Sequence, residues 1–360
     1  MPGVYISFPF CAQKCSFCNF ASGVHSRDTE RAYYDALLAE IGSHPWEWTP
    51  DTVYLGGGTP SNMDLPELAR VLRAIPGTAW SEATLEAAPG TITRDKAEAW
   101  KRAGITRVSL GVQSFHSMEL AKTGRRHSAQ TVVEDCATLR AAGIEDLNID
   151  LIAGLPHQTA STWAESLEWI ERLDPPHVSV YMFEIDEDSR LGLEVLNNGA
   201  RYGANAVPSD ELAAELYETA VDRLAVLGIP RYEISNFATP GRESLHNLKY
   251  WTMQPYVGFG VDAHSFDGRT RVGNTESVAD YIRGKVEVSR SDANVDEERI
   301  FTGLRLTKGL EFGPTEWQRH RAVLERFLDA GLLETESGVV RLTRRGVLLS
   351  NEVFQEFLAA

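Results

Sequence analysis

The sequence predicts an α/β fold, an incomplete (β/α)6 barrel followed by a small winged-helix-like C-terminal domain. Three observations carry this expectation. Short β-branched or aromatic runs alternate with longer segments of helical period through the first half of the chain. Polar residues and glycines gather where those short runs end. From about Asp292 the rhythm becomes helix, helix, hairpin, helix.

In chain order, strands are expected at Val4–Phe8, Thr52–Leu55, Thr84–Ala87, Arg107–Val112, Asp146–Ile152 and Val178–Ile185. Helices are expected between them at Thr29–Gly42, Leu65–Ile75, Arg94–Ala103, Ala129–Ala142 and Ser161–Leu173, with Gly104 and Gly143 as closing glycines. Serial βα units with right-handed crossovers give a parallel sheet, either open and doubly wound or curled into a barrel. The strand ends favour the barrel. Gly56-Gly57-Gly58 follows the second strand, Glu86 ends the third, Gln113 the fourth, Asp150 lies in the fifth and Glu184 ends the sixth, as a barrel's active face requires.

Past Asp186 the alternation stops. Residues 1–190 are therefore read as the barrel, 191–290 as an extension of it and 291–360 as the C-terminal domain. The extension holds a Gly/Asn-rich stretch at Asn197–Pro208, a helix at Asp210–Leu227 capped by Ser209 and an irregular aromatic-rich region at Tyr232–Phe266. The last domain is read as Glu297–Leu306, Trp317–Ala330, a wing-like turn at Gly338–Leu342 and a helix at Arg344–Leu358.

Composition narrows the function. A chain of 360 residues with 43% hydrophobic and 24% charged side chains folds rather than staying disordered. Its net charge of −16 repels phosphate backbones, so no nucleic-acid partner is expected, and the winged-helix-like unit reads as a packing module. No apolar run is long enough for a transmembrane helix. Met1–Phe10 lacks Lys and Arg, which argues against a signal peptide and for a cytoplasmic protein. Peripheral membrane contact and a homodimer stay open.

Three of the four cysteines, Cys11, Cys15 and Cys18, sit on the loop after the first strand. They can converge on a metal centre: zinc with His25 as fourth ligand, or an iron–sulfur cluster that keeps one iron open. Cys136 shares a helical face with Val132, Val133 and Leu139 and reads as core. Gly56–Gly58 would let a ligand meet bare backbone, and without a following Gly-Lys-Ser/Thr it is not a P-loop.

The order Cys11-x3-Cys15-x-Phe17-Cys18 after the first strand, with Gly56–Pro60, resembles the radical S-adenosylmethionine superfamily. The resemblance implies a 4Fe-4S cluster on Cys11, Cys15 and Cys18, with adenosylmethionine on the open iron and a 5′-deoxyadenosyl radical on reduction. Tyr5–Cys11, Gly56–Pro60, Leu85–Pro89, Leu110–Phe115 and Asn148–Pro156 are similar to the oxygen-independent coproporphyrinogen III oxidase group over nearly the whole chain. In that likeness Tyr5, Gly57, Gly58, Thr59, Glu86, Gln113, Arg125 and Asp150 line the adenosylmethionine site.

Two departures argue against the decarboxylase itself. Phe20 stands where the oxidase has a further cysteine, and only ten residues precede Cys11. In their place, Tyr232–Phe237 and His246-Asn-Leu-Lys-Tyr-Trp251 resemble the HemW-type heme chaperones of the same family. That branch implies a heme carrier delivering to apoproteins such as respiratory enzymes, with His246 as heme ligand and His264 as a weaker candidate. Porphyrin decarboxylation and a zinc-stabilised scaffold are the alternatives.

Overall fold

The computed structural model describes residues 1–77 and 79–358. The chain begins β1 (Gly3–Phe8), α1 (Arg27–Ser43), β2 (Thr52–Gly57), α2 (Leu65–Ala74), β3 (Glu82–Ala87), α3 (Arg94–Arg102) and β4 (Arg107–Gln113). It continues with α4 (Ser117–Thr123), α5 (Ala129–Ala141), β5 (Asp146–Ala153), α6 (Ala160–Leu173) and β6 (His177–Met182). Neighbours from β1 to β6 all pair in parallel. Side-chain oxygens of Ser26, Thr93, Ser128 and Thr159 accept from backbone N–H groups three residues on, which sets where the helices start. The sixth strand stops at Met182 rather than Ile185, so Glu184 is exposed beyond the sheet.

The strands alternate in character with a purpose. Val4, Ile6, Val53, Leu55, Leu110 and Ile149 join the apolar core under the helices. Their neighbours Tyr54, Glu86, Ser109, Asn148, Asp150 and His177 line a cavity of about 40 Å³ inside the barrel. Successive side chains on a strand point to opposite faces, so one face seals the helix layer while the other builds a polar interior. The parallel strands are thus not uniformly apolar, because their inner face lines a polar cavity instead of packing hydrocarbon.

Next come α7 (Arg190–Leu196), α8 (Asp210–Val226), β7 (Asn236–Ala238), α9 (Leu245–Trp251), β8 (Tyr256–Phe259), β9 (His264–Phe266), β10 (Thr270–Asn274), α10 (Val278–Ile282) and β11 (Glu287–Asp292). They add to the sheet at both edges, in the order β11-β10-β9-β8-β1-β2-β3-β4-β5-β6-β7, and the series stays open. β11 crosses the expected boundary at 290. The stretch 232–266, expected to be irregular, contains β7, α9, β8 and β9. Strands of three or four residues are too short for periodicity to reveal.

The remainder is α11 (Val295–Leu304), β12 (Leu310–Glu311), α12 (Pro314–Asp329), β13 (Leu333–Glu336), β14 (Val339–Leu342), α13 (Arg344–Leu348) and α14 (Ser350–Phe354). β13 and β14 form the wing, turning at Ser337 and Gly338, both at positive φ. The long final helix expected at Arg344–Leu358 breaks at Leu349 (φ −115°, ψ 27°). The bend lets Val347 on one side and Val353 and Phe357 on the other all be buried.

Candidate functional site at the barrel's carboxyl end

The loop after β1 carries Cys11, Cys15 and Cys18, all free and partly exposed. It is held from both sides. Gly23 O accepts from Cys11 N (2.9 Å), Thr123 O at the end of α4 accepts from Ser16 N (3.2 Å), and Leu191 N in α7 donates to Ser16 O (2.8 Å). Gln13 Nε2 donates to Gly124 O at 3.0 Å. The helices that clamp this loop, α4 and α7, are among those that the periodicity did not announce. Burial raises the Cys15 thiol pKa, and the neighbouring Arg125 guanidinium opposes that rise.

Among the described residues no group of three or more His, Cys, Asp and Glu is arranged to hold one metal ion. His25 is exposed and packs edge-on against Phe10 at 5.4 Å. The geometry therefore offers three thiols on one loop and no four-ligand zinc set. Phe20 is 62% exposed beside them, and a phenyl ring ligates nothing. Cys136 is in the core, its thiol pushed up to about 11 by burial.

Next to the loop lies a polar cradle. Gly57 has φ +103°, and a Cβ on Gly58 would lie 2.8 Å from the Phe8 and Phe10 backbones, so only glycines allow the chain to pass here. Thr59 N donates to Phe10 O at 2.9 Å. Glu86 accepts from Tyr54 Oη (2.9 Å) and Gly57 N (3.1 Å). Its pKa is raised to about 7, by burial first and by Asp150 second. Asp150 accepts from Ser109 (3.1 Å) and Asn148 (2.7 Å), and burial raises its pKa as well. The Tyr5 ring stacks on Tyr54, centroids 6.1 Å apart.

At Gln113 a register shift in the β4–β5 pairing and φ +71° re-aim the side chain. Its Oε1 is buried without a partner, as are Arg125 Nε and His127 Nε2. Folded proteins seldom leave such atoms unpaired. An acceptor at Gln113, a cationic donor at Arg125 and two carboxyl groups suit a ligand carrying both amino and carboxylate groups. His127 escaped the sequence reading. Burial, then Arg125, lowers its pKa to about 4, so it is a neutral imidazole.

His246 lies at the other end of the barrel. Its Nδ1 pairs with Thr52 Oγ1 (2.9 Å) and its Nε2 with Tyr250 Oη (2.8 Å). The residue is 0% exposed, and burial followed by Lys249 takes its pKa down to about 3. The open imidazole expected of a heme ligand is not what the fold presents, because both ring nitrogens are engaged. Thr52 begins β2 and Gly57 ends it, so about 16 Å of strand separates α9 from the cradle at ~3.3 Å per residue. His264, the weaker candidate, has an exposed side chain 3.9 Å from Asp262.

The buried carboxylate of Glu82 is a second residue that sequence reasoning missed. It accepts from Ser244 Oγ (3.2 Å), Leu245 N (2.8 Å) and His246 N (3.0 Å), closing the start of α9. Lys249 donates to Met1 O (2.6 Å) and pairs with Asp51 (2.8 Å). The signal for Glu82, Asn148 and His177 was the polar member of each alternating pair in the strands.

Residues 5–170 match the Radical SAM superfamily and residues 293–349 the HemN C-terminal domain. The chain is 34% identical to "Heme chaperone HemW" of Bacillus subtilis, covering 99% of both chains. It is 32% identical to the protein of that name in Lactococcus lactis, covering 98% of this chain and 96% of that one. The solved coproporphyrinogen III oxidase (HemN) of Escherichia coli superimposes with a TM-score of 0.85 at 22% identity, over 99% of this chain and 90% of that one, a likeness of fold.

Proposed function

Because the chain belongs to the heme chaperone HemW family, with its radical S-adenosylmethionine core, we propose that it carries heme and delivers it to apoproteins. It does so in the cytoplasm as an iron–sulfur, adenosylmethionine-binding protein, with respiratory enzymes as the acceptor class. The observation that carries the cofactor part is that Cys15, on the loop of three free cysteines, meets the Arg125 guanidinium, whose Nε is partnerless like the nearby Gln113 Oε1.

Cys11, Cys15 and Cys18 hold the 4Fe-4S cluster, and α4 and α7 keep their loop in place. Arg125 binds the carboxylate of adenosylmethionine and favours thiolate at Cys15. Gln113 Oε1, Glu86 and Asp150 accept from its amino group and ribose hydroxyls. Gly57, Gly58 and Thr59 present backbone to it, and Tyr5 supplies a ring wall. A 4Fe-4S cluster held by these cysteines would supply, when reduced, the electron for adenosylmethionine chemistry. Glu86, with a pKa of about 7, can hold or release a proton at this site near neutral pH.

Heme is cargo. Ligation by His246 would require one ring nitrogen to give up its partner, Thr52 or Tyr250; with both held, the ring braces α9. The reading is tested by anaerobic reconstitution with iron and sulfide, titration with heme, and mixing with a heme-free acceptor apoprotein. Cluster absorbance, saturable heme binding and loss of heme to the acceptor are expected. A protein that forms the cluster but binds no heme overturns the carrier assignment.

A further inference from the structure

A hydrogen-bond chain runs through the polar interior of the barrel from the start of α9 to Asp150, and every donor in it points the same way. Ser244 N, at the cap of α9, donates to Tyr232 Oη (3.2 Å). Tyr232 Oη meets His177 Nε2 (3.0 Å), His177 Nδ1 meets Asn148 Oδ1 (2.6 Å), and Asn148 Nδ2 donates to Asp150 Oδ1 (2.7 Å). The direction follows from the amide. Asn148 Nδ2 also donates to Ser109 Oγ (2.7 Å), so its Oδ1 is the acceptor and His177 carries its proton on Nδ1. Burial, then Arg107, holds the His177 pKa well below its ordinary value, so the ring is neutral and its bare Nε2 accepts the Tyr232 hydroxyl. Ser109, Asn148, His177 and Ser244 are all buried, and hydrogen bonds in such surroundings polarise one another along the chain.

Resting on the adenosylmethionine reading of the cradle, we propose that this chain couples adenosylmethionine binding to the closing of α9, with Tyr232 and His177 as positioning residues. Two observations carry it. Asn148 and Ser109 hold both oxygens of Asp150, at 2.7 and 3.1 Å, so the chain fixes how that carboxylate faces the hydroxyls of a ligand. At the other end Tyr232 accepts from Ser244 N, while Glu82 takes the next two N–H groups, of Leu245 and His246. The chain therefore ends on a helix start whose orphan donors depend on it. Opening α9 frees Tyr232, then His177 and Asn148, and leaves Asp150 less firmly held. A ligand that binds the held carboxylate better must, by linkage, favour the closed helix by the same factor.

The test combines adenosylmethionine titration of the reconstituted full chain with hydrogen exchange of α9, on wild type, Tyr232→Phe, His177→Phe and the double variant. Tyr232→Phe keeps the ring and removes only the hydroxyl that meets His177 and Ser244. It is expected to weaken adenosylmethionine binding by about fivefold or more. In the wild type, saturating adenosylmethionine should slow exchange of the α9 amides by the same factor, and in Tyr232→Phe it should leave them unchanged. Because the links are in series, adding Tyr232→Phe to His177→Phe should cost no further affinity. Wild-type affinity in Tyr232→Phe overturns the coupling even if His177→Phe fails to fold, and so does wild-type α9 exchange that ignores adenosylmethionine. Faster α9 exchange in Tyr232→Phe with the wild-type ratio retained means that the hydroxyl only props the helix, and it overturns the coupling too. A further loss in the double variant overturns the serial order. Failure of the cluster-loaded wild type to bind adenosylmethionine is a different result: it removes the cofactor reading, and the coupling with it.

Discussion

Tyr54 touches both ends of the barrel's business. Its hydroxyl donates to Glu86 at 2.9 Å, and its ring lies against that of His246, centroids 5.3 Å apart and tilted by 31°. One side chain on β2 therefore joins the polar cradle at Glu86 to His246 on α9. Tyr54→Phe keeps the ring and loses the donor. It should cost about 1 kcal/mol of stability and raise the Glu86 pKa further, because the lost hydrogen bond favours the carboxylate. Denaturant melts and the pH dependence of adenosylmethionine binding check this.

Gly58→Ala places a methyl 2.8 Å from the Phe8 and Phe10 backbones, where no flexible side chain can give way. A loss of about 2 kcal/mol is expected, with adenosylmethionine binding abolished. Calorimetric titration on the reconstituted protein measures the second effect.

Glu82→Ala strips three donors at the start of α9 of their shared acceptor. About 3 kcal/mol should be lost, since buried donors are left unsatisfied. Hydrogen exchange should show α9 opening first while β2 to β5 stay protected.

Acid should loosen the same helix. The folded pKa of His246 is about 3, below the ordinary value of 6.5. The unfolded chain therefore takes up a proton that the folded protein refuses. This contribution to stability is fully present above pH 6.5 and is lost as pH falls toward 3. Stability of wild type and His246→Gln, measured across that window, should fall more steeply for the wild type.

Cys18→Ser should abolish cluster absorbance after reconstitution. Cys136→Ala should keep it and cost about 1 kcal/mol through a small core cavity.

The βα rhythm was legible because each unit repeats two signals, an apolar strand face and a capped helix such as those behind Ser128 and Thr159. The cluster loop and the glycine run were legible because spacing alone carries their chemistry. The short α4 and α7, which clamp that loop, were not: seven residues give fewer than two turns of pattern. β7 and β9, at three residues each, were hidden for the same reason.

By itself the sequence indicated the parallel strands of an incomplete barrel and put three cysteines and a glycine run on the loops after its first two strands, because these rest on local spacing and strand alternation, while the family was indicated by the resemblance of its motifs. Tertiary structure alone decided what each polar group meets. It placed α9 a strand's length from the polar cradle, set Glu82 as the cap of α9 and gave both nitrogens of His246 to Thr52 and Tyr250. Tyr250 is four residues from His246, but Thr52 is 194 away, and no local pattern records which distant hydroxyl a buried ring will face.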